Sequence, residues 1–140
     1  MCVEGDGGQL IGTVDDHLRL FETFDSPHIQ ANFDLANMYH VQEFTRSDFE
    51  RFHRWVPYFH CKDRKLNTGW RKLLFGGNSP AIFGEGSIPW RKVLGWFDEV
   101  GFSGHLSIEP HVHGRKRFEK GRKCVQNLQK ILSDLNIDFE

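Results

Sequence analysis

Four side chains that could bind a metal ion or transfer a proton stand at or near the ends of short apolar segments. The side chains are Glu4, Asp34, His60 and Glu109, and the segments are residues 1–4, 29–34, 56–60 and 106–110. Three carboxylates and one imidazole form an oxygen-rich set that suits Mn²⁺ or Mg²⁺, with Co²⁺ or Zn²⁺ as further candidates. A single acidic residue at a strand end is more commonly a solvated turn residue or a helix cap. A shared metal site therefore requires a fold that brings all four together.

The apolar segments look like β-strands, and their spacing is that of a β/α barrel. Short runs with β-branched and aromatic side chains favour strands over helices. Successive candidate ligands are 30, 26 and 49 residues apart, and one βα unit of a barrel takes roughly 31 residues. The first two intervals match one unit each, and the third matches one unit plus a long loop. Because active sites of such sheets lie at the C-terminal ends of the strands, the spacing predicts one cluster there.

Segments with helical periodicity lie between the predicted strands. The first helix is expected to begin after the N-cap Thr13, and the second with a capping box over residues 47–50. The third is expected to open at residues 87–90 and to end at Gly101 in a left-handed conformation, and the fourth to span residues 115–135. The buried faces predicted for the four helices are, in order, Val14, Leu18, Phe21 and Phe24; Phe49 and Phe52; Val93, Leu94, Phe97 and Val100; and Phe118, Val125, Leu128, Leu132 and Leu135. The alternation of strands and helices predicts an α/β fold with a parallel sheet.

The segment from about Arg64 to Gly86 has no clear period and is predicted to be a long loop. It holds five glycines and the basic pair Arg71-Lys72. A loop of that length inside a compact domain is commonly functional. Trp70 within it could stack on a sugar ring, although packing is the commoner role of a tryptophan.

Length and composition exclude several classes of protein. A chain of 140 residues is expected to form one domain. Its net charge of −1 disfavours duplex binding, which normally needs a basic excess. No apolar run approaches the ~20 residues of a membrane helix, and the N-terminus lacks the features of a signal peptide. Three cysteines without a CxxC spacing fit a reducing compartment. We therefore expect a cytoplasmic protein that binds neither nucleic acid nor membrane.

Four stretches of the sequence resemble the sugar phosphate isomerase/epimerase family, whose members are xylose isomerase-like TIM barrels. The stretches are residues 31–34 (ANFD), 59–63 (FHCKD), 84–90 (GEGSIPW) and 101–110 (GFSGHLSIEP). They do not specify one substrate. The resemblance covers nearly all of the chain and matches the C-terminal half of such a protein. It implies that residues 1–140 form about four of the eight βα units of a barrel, as a half-barrel or a fragment.

The resemblance also implies roles for the four candidate ligands. Glu4, Asp34, His60 and Glu109 would bind one divalent ion. In the epimerases of the family the two metal-bound glutamates also form the acid/base pair, so Glu4 and Glu109 would be catalytic. One carboxylate would remove the proton next to a sugar carbonyl, and the other would return a proton from the opposite face, through an enediolate that the ion stabilises. An isomerase moves the proton between neighbouring carbons through the same enediolate.

Three further residues are candidate substrate contacts. Family members similar to tagatose epimerase have a histidine three residues after the strand-end aspartate, where this chain has Asn37. An amide can bind a sugar hydroxyl but does not titrate near neutral pH. Lys62 is expected to reach substrate or to pair with a carboxylate. His111 forms a His-x-His pair with His113; we expect His111 near the site and His113 in solvent.

Three functions remain open at the level of sequence. The first is a metal-dependent sugar or sugar-phosphate isomerase/epimerase that binds a small-molecule substrate. The second is a metal-dependent hydrolase or lyase on a related barrel, and the third is a catalytically silent half-barrel that acts as an assembly unit. Because a half-barrel would leave two strand edges unpaired, we also expect either a missing N-terminal half or pairing of two copies.

Overall fold

Strands and helices alternate along the chain in a computed structural model that describes residues 1–39, 41–111 and 114–139. The strands are β1 (Cys2–Glu4), β2 (Gln30–Phe33), β3 (Tyr58–Cys61), β4 (Asp63–Leu66), β5 (Asn78–Ala81) and β6 (His105–Ile108). The helices are α1 (Val14–Phe24), α2 (Leu35–Met38), α3 (Arg46–Phe52), α4 (Gly69–Phe75), α5 (Trp90–Asp98) and α6 (Arg117–Asp134), and a 3₁₀ turn spans His53–Trp55. His113, predicted to face solvent, lies outside the described residues.

Four strands form a parallel sheet in the order β1-β2-β3-β6. In the register, Val3 lies opposite Ala31 and Phe33 lies opposite Phe59. These strands coincide within a residue or two with the four predicted ones, so the predicted α/β fold with a parallel sheet is confirmed. The chain divides into two compact units, residues 1–60 with 102–107 and residues 61–101 with 108–140.

The core of the first unit is a cluster of phenylalanine rings between the sheet and its helices. The ring of Phe33 lies 4.8 to 5.3 Å, centroid to centroid, from those of Phe44, Phe52 and Phe59. Helix α3 contributes Phe49 and Phe52, both buried as predicted. Aromatic residues supply large buried apolar areas, which explains how strands of three or four residues hold together.

Both helices that carry capping boxes in this unit begin at a threonine. Thr13 is the N-cap of α1, as predicted, and Asp16 is its partner in the capping box. The prediction for α3 was wrong by two residues, because Thr45 and Asp48 form the box rather than residues 47 and 50. The same three-residue spacing occurs twice in this segment, and the upstream pair starts the helix earlier.

Helix α1 buries two of its four predicted side chains, and a third, Leu18, is half-buried. Val14 and Phe21 are buried, but Phe24 is 60% exposed, and His17 is buried in the same face. Phe24 is the last residue of α1, and the chain turns away at Asp25, whose φ is 41°. The apolar stripe therefore ends one turn before the predicted end.

The second unit packs α5 and α6. Helix α5 buries Val93, Leu94 and Phe97 as predicted, whereas Val100 lies past its end and is exposed. Gly101 has the predicted left-handed conformation, with φ of 71°. Among the described residues, no helix is both long and apolar enough to cross a membrane.

Helix α6 buries Leu128 and Leu132 as predicted, but not Phe118 or Val125. It buries Cys124, Leu128, Ile131 and Leu132, while Phe118 is 77% exposed and Val125 is exposed. The Arg117 guanidinium lies 4.9 Å from the centroid of the Phe118 ring, so this exposed ring contacts a cation rather than the core.

The predicted long loop contains regular structure. Strands β4 and β5 pair antiparallel, with Arg64 opposite Pro80 and Lys65 opposite Ser79, and α4 connects them. Pro80 and four-residue strands without clear alternation hid this pairing in the sequence. A proline is tolerated here because a strand with one neighbour needs only half of its N–H groups. Trp70, Leu73 and Leu74 on α4 are exposed.

Candidate metal centre

Three of the predicted ligands, Glu4, Asp34 and His60, come together in the first unit. Glu4 ends β1, Asp34 directly follows β2, and His60 is the third residue of β3. One oxygen of each carboxylate and one ring nitrogen of His60 lie within 4.8 Å of one another. The Glu4 Oε2 atom is 3.2 Å from Nδ1 of His60. Neighbouring parallel strands that end at the same level place these side chains together, as the spacing predicted.

Asp34 also caps a helix. One of its oxygens therefore has the role that is common for an acidic residue at a strand end. The Asn37 backbone N–H donates to Oδ1 of Asp34 at 2.9 Å, which makes Asp34 the N-cap of α2. The side chain is buried. Capping a one-turn helix fixes the direction of the carboxylate at the end of β2.

Two buried asparagines hold the Glu4 carboxylate. The side-chain amide of Asn37 donates to Oε1 at 2.9 Å, and the amide nitrogen of Asn32 is 3.4 Å from Oε2. The same nitrogen of Asn32 is 3.2 and 3.1 Å from Nδ1 and Nε2 of His60. This role of Asn32 was not predicted from the sequence. Its position in β2, two residues before the strand-end Asp34, was the available signal, because residues two apart in extended chain lie on one side.

Glu109, the fourth predicted ligand, belongs to the second unit and directly follows β6. Its backbone N–H donates to the Cys61 carbonyl at 3.2 Å. Its carboxylate receives a hydrogen bond from Nζ of Lys62 at 3.0 Å, and Nε2 of His111 lies 3.1 Å from its other oxygen. Lys62 is only 4% exposed, whereas the Glu109 side chain is 37% exposed, so the carboxylate of this ion pair remains in contact with water.

The environment of Glu109 favours its charged form. Partial burial opposes ionisation, but the hydrogen bonds from Lys62 and His111 and the positive charge of Lys62 outweigh it and lower the pKa of the Glu109 carboxyl. Glu109 is therefore a carboxylate at neutral pH, which is the form that accepts a proton or binds a cation.

Asp63, next to Lys62, anchors the glycine-rich segment that resembles the family. Its buried carboxylate accepts hydrogen bonds at 2.8 to 3.2 Å from the backbone N–H groups of Arg64, Gly84, Gly86 and Ile88. Burial nevertheless raises the pKa of Asp63. Because these donors are used within the protein, the segment does not cradle a phosphate.

The Asp63 anchor extends to Lys62 through the backbone. The indole N–H of Trp90 donates to the Lys62 carbonyl at 3.1 Å. The His-x-Lys-Asp stretch thus has two structural roles in the second unit, since Lys62 reaches Glu109 and Asp63 binds the turn before α5. The role of Asp63 was not predicted, although Asp63 and the Gly-Glu-Gly segment at residues 84–86 both lie in stretches that resemble the family.

Comparison with known proteins identifies the fold. The family model of xylose isomerase-like TIM barrels matches residues 2–131. No curated protein matched the sequence significantly. The chain is similar to a xylose isomerase domain protein from Planctomyces limnophilus, with 22% identity, a TM-score of 0.71, and coverage of 96% of this chain and 45% of that one.

Two further solved structures show the same likeness. A xylose isomerase-like TIM barrel protein from Mycobacterium smegmatis in complex with magnesium has 20% identity and a TM-score of 0.68, with 94% of this chain and 42% of that one covered. The 3-keto-D-glucoside 4-epimerase YcjR from E. coli has 14% identity and a TM-score of 0.70, with 92% and 45% covered. The chain thus spans less than half the length of these structures. With the family model matched over most of its length, the chain belongs to the xylose isomerase-like TIM barrel family.

Proposed function

We propose that this chain carries the metal-binding and proton-transfer residues of a metal-dependent sugar or sugar-phosphate isomerase/epimerase. The observation that supports this most strongly is the cluster of Glu4, Asp34 and His60 at the carboxyl ends of parallel strands. Membership of the family adds to it, since one solved relative is an epimerase and another contains magnesium. The activity proposed is that of a whole barrel of this family, and the chain spans less than half the length of the solved structures it resembles.

The donor set fits a divalent cation. Two carboxylates and an imidazole within 4.8 Å offer hard oxygen ligands and one nitrogen. Glu109 is the proposed fourth ligand, because it follows β6, the strand after β3 in the sheet order. Mn²⁺ or Mg²⁺ is favoured, with Co²⁺ or Zn²⁺ also suited to the set. The bound ion would polarise the sugar carbonyl and so lower the energy of the enediolate.

Glu4 and Glu109 are the proposed acid/base pair. Glu109 is ionised at neutral pH through its contacts with Lys62 and His111, so it is ready to accept the proton next to the carbonyl. Glu4 is held by the amide of Asn37 and would, as the carboxylic acid, give its proton to the opposite face of the enediolate. On this assignment Asn37, Lys62 and His111 also contact the sugar.

We also propose a cytoplasmic location for the protein, because the odd number of cysteines fits a reducing compartment.

Titration calorimetry with Mn²⁺ tests the metal centre directly. We expect the wild-type chain to bind the ion. His60→Ala should lose at least tenfold in affinity, because it removes one of the proposed ligands of the ion. His28→Ala is the matched control, since His28 is exposed and lies outside the cluster. Failure of the wild-type chain to bind any divalent cation would refute the proposal.

Exchange of substrate hydrogen with solvent tests the reaction. In D₂O with Mn²⁺, we expect a ketose or ketose phosphate to take up deuterium at the carbon next to its carbonyl. NMR of the sugar measures this uptake. Glu109→Gln should abolish the uptake, because an amide cannot accept the proton. Binding of the ion without uptake from any ketose of the panel would instead favour a hydrolase or lyase.

A further inference from the structure

Asn32 lies between two of the proposed metal ligands. It is the third residue of β2, and the strands on either side carry Glu4 and His60. Its amide nitrogen is 3.4 Å from Oε2 of Glu4 and 3.2 and 3.1 Å from the two ring nitrogens of His60. The residue is only 9% exposed, whereas the side chains of His60 and Glu4 are 21% and 36% exposed, so Asn32 is the buried member of the three.

The amide of Asn32 is costly to bury at this place. Its Oδ1 atom is buried and has no hydrogen-bond partner among the described residues. A buried polar atom without a partner costs free energy that an apolar side chain of similar size would avoid. Packing alone therefore does not explain an asparagine here, whereas the contacts of its nitrogen do.

A neutral donor is suited to the space between a carboxylate and an imidazole that share a cation. The –NH₂ group donates to Glu4 without supplying a full positive charge, so the carboxylate keeps its charge for the ion. A lysine or arginine there would compete with the cation. Contacts of this kind around metal ligands orient them and commonly change metal affinity 10- to 100-fold on mutation.

We infer that Asn32 is a positioning residue of the metal centre, an inference that rests on the proposed function. Its amide nitrogen holds the Glu4 carboxylate and the His60 ring at ligand spacing. It acts through these two side chains and is not itself a ligand or a proton carrier.

The affinity of Asn32→Leu for Mn²⁺, measured by titration calorimetry, tests this role. Leucine has a similar volume and no donor, so we expect affinity to fall roughly 10- to 100-fold while the thermal unfolding transition stays cooperative. Asn67→Leu is the matched control, because Asn67 is equally buried but donates to the Gly76 carbonyl in the second unit. The affinity of Asn67→Leu for Mn²⁺ should equal that of the wild type. If Asn32→Leu does not fold, Asn32→Ala is measured in its place.

A second readout does not need the metal. In the metal-free chain, Asn32→Leu should shift the ¹⁵N resonances of the His60 ring and leave those of His28 unchanged. Wild-type binding of Mn²⁺ with unchanged affinity in Asn32→Leu and Asn32→Ala would overturn the inference and leave the proposed function intact. Absence of binding by the wild type would overturn the proposed function itself, and the positioning role with it.

Discussion

His17 is a buried histidine outside the metal centre whose surroundings disfavour its charged form. It is 1% exposed, and its ring lies 5.8 Å from that of Phe21 and 5.4 Å from that of Phe52. Its Nδ1 lies 2.9 Å from the Thr13 carbonyl. Burial among aromatic rings lowers the pKa of His17 below 6.5, although its backbone hydrogen bonds partly oppose this.

This pKa shift predicts that acid destabilises the fold. Because the folded-state pKa lies below the unfolded one, the unfolded chain takes up the proton first as the pH falls. The contribution of His17 is therefore complete above about pH 6.5 and is lost below it, at up to about 1.4 kcal/mol per pH unit. The free energy of unfolding, measured with urea between pH 7.5 and 5, should fall less steeply with decreasing pH for His17→Leu than for the wild type. His28→Gln, at an exposed histidine, should keep the wild-type slope; equal slopes for all three proteins would contradict the prediction.

Among the elements, the turn before α5 depends on the fit between Gly86 and Asp63. A Cβ atom at Gly86 would collide with the Asp63 carboxylate and the Arg64 carbonyl, neither of which is free to move, since the carboxylate accepts four backbone N–H groups. We expect Gly86→Ala to lower the free energy of unfolding by about 1–3 kcal/mol, the usual cost of overpacking.

Gly95→Ala is the matched control for this turn. Gly95 lies inside α5, where no atom comes within 4 Å of the added carbon. Alanine is favoured over glycine in a helix by roughly 0.5–1 kcal/mol, so this variant should gain stability. Denaturant unfolding of both variants checks the contrast, and a Gly86→Ala protein as stable as Gly95→Ala would show that the turn can move.

The elements that sequence could predict are those whose signals are local. Each strand of the central sheet is a short apolar run beside a candidate ligand, and both the strands and the approach of Glu4, Asp34 and His60 follow from that pattern. Helix α6 shows where local signals end. Its rotation is set by the Phe83 N–H, which lies 3.4 Å from the Cys124 sulfur, and by the Asn127 amide, which donates to the Phe83 carbonyl at 2.7 Å. These contacts join residues 41 and 44 positions apart, so periodicity favoured Phe118 and Val125 instead.

Asn32 and Asp63 were missed for a related reason. An asparagine within a strand and an aspartate after a lysine are ordinary residues in the sequence, and they become informative only through their partners. Asn32 acquires its role from Glu4 and His60 on the neighbouring strands, and Asp63 from the backbone of a turn more than twenty positions away. Candidate ligands at strand ends can thus be predicted from the sequence. The side chains that hold those ligands in place can be identified only from the structure.

At the scale of the whole molecule, the central sheet has two outer strands, β1 and β6. Parallel strands with an unpaired edge offer N–H and C=O groups to another chain. The Gln30 N–H donates to the Met1 carbonyl at 3.0 Å, and Cys2 is in register with Gln30. In a parallel ladder this makes the backbone of Cys2 point away from β2, toward the outer edge.

We expect the 140-residue chain to self-associate through this edge, with a weight-average sedimentation coefficient that rises with concentration. Cys2→Pro removes the outward N–H without removing a bond between β1 and β2, so it should weaken association and leave the unfolding temperature unchanged. Cys2→Ser is the matched control, because it removes the exposed thiol and keeps the N–H, and so separates a disulfide-linked dimer from edge pairing. Association lost equally in both variants would assign it to the thiol. A wild-type chain that stays monomeric at all concentrations would show that the edge of β1 does not pair, whatever the activity of the metal centre.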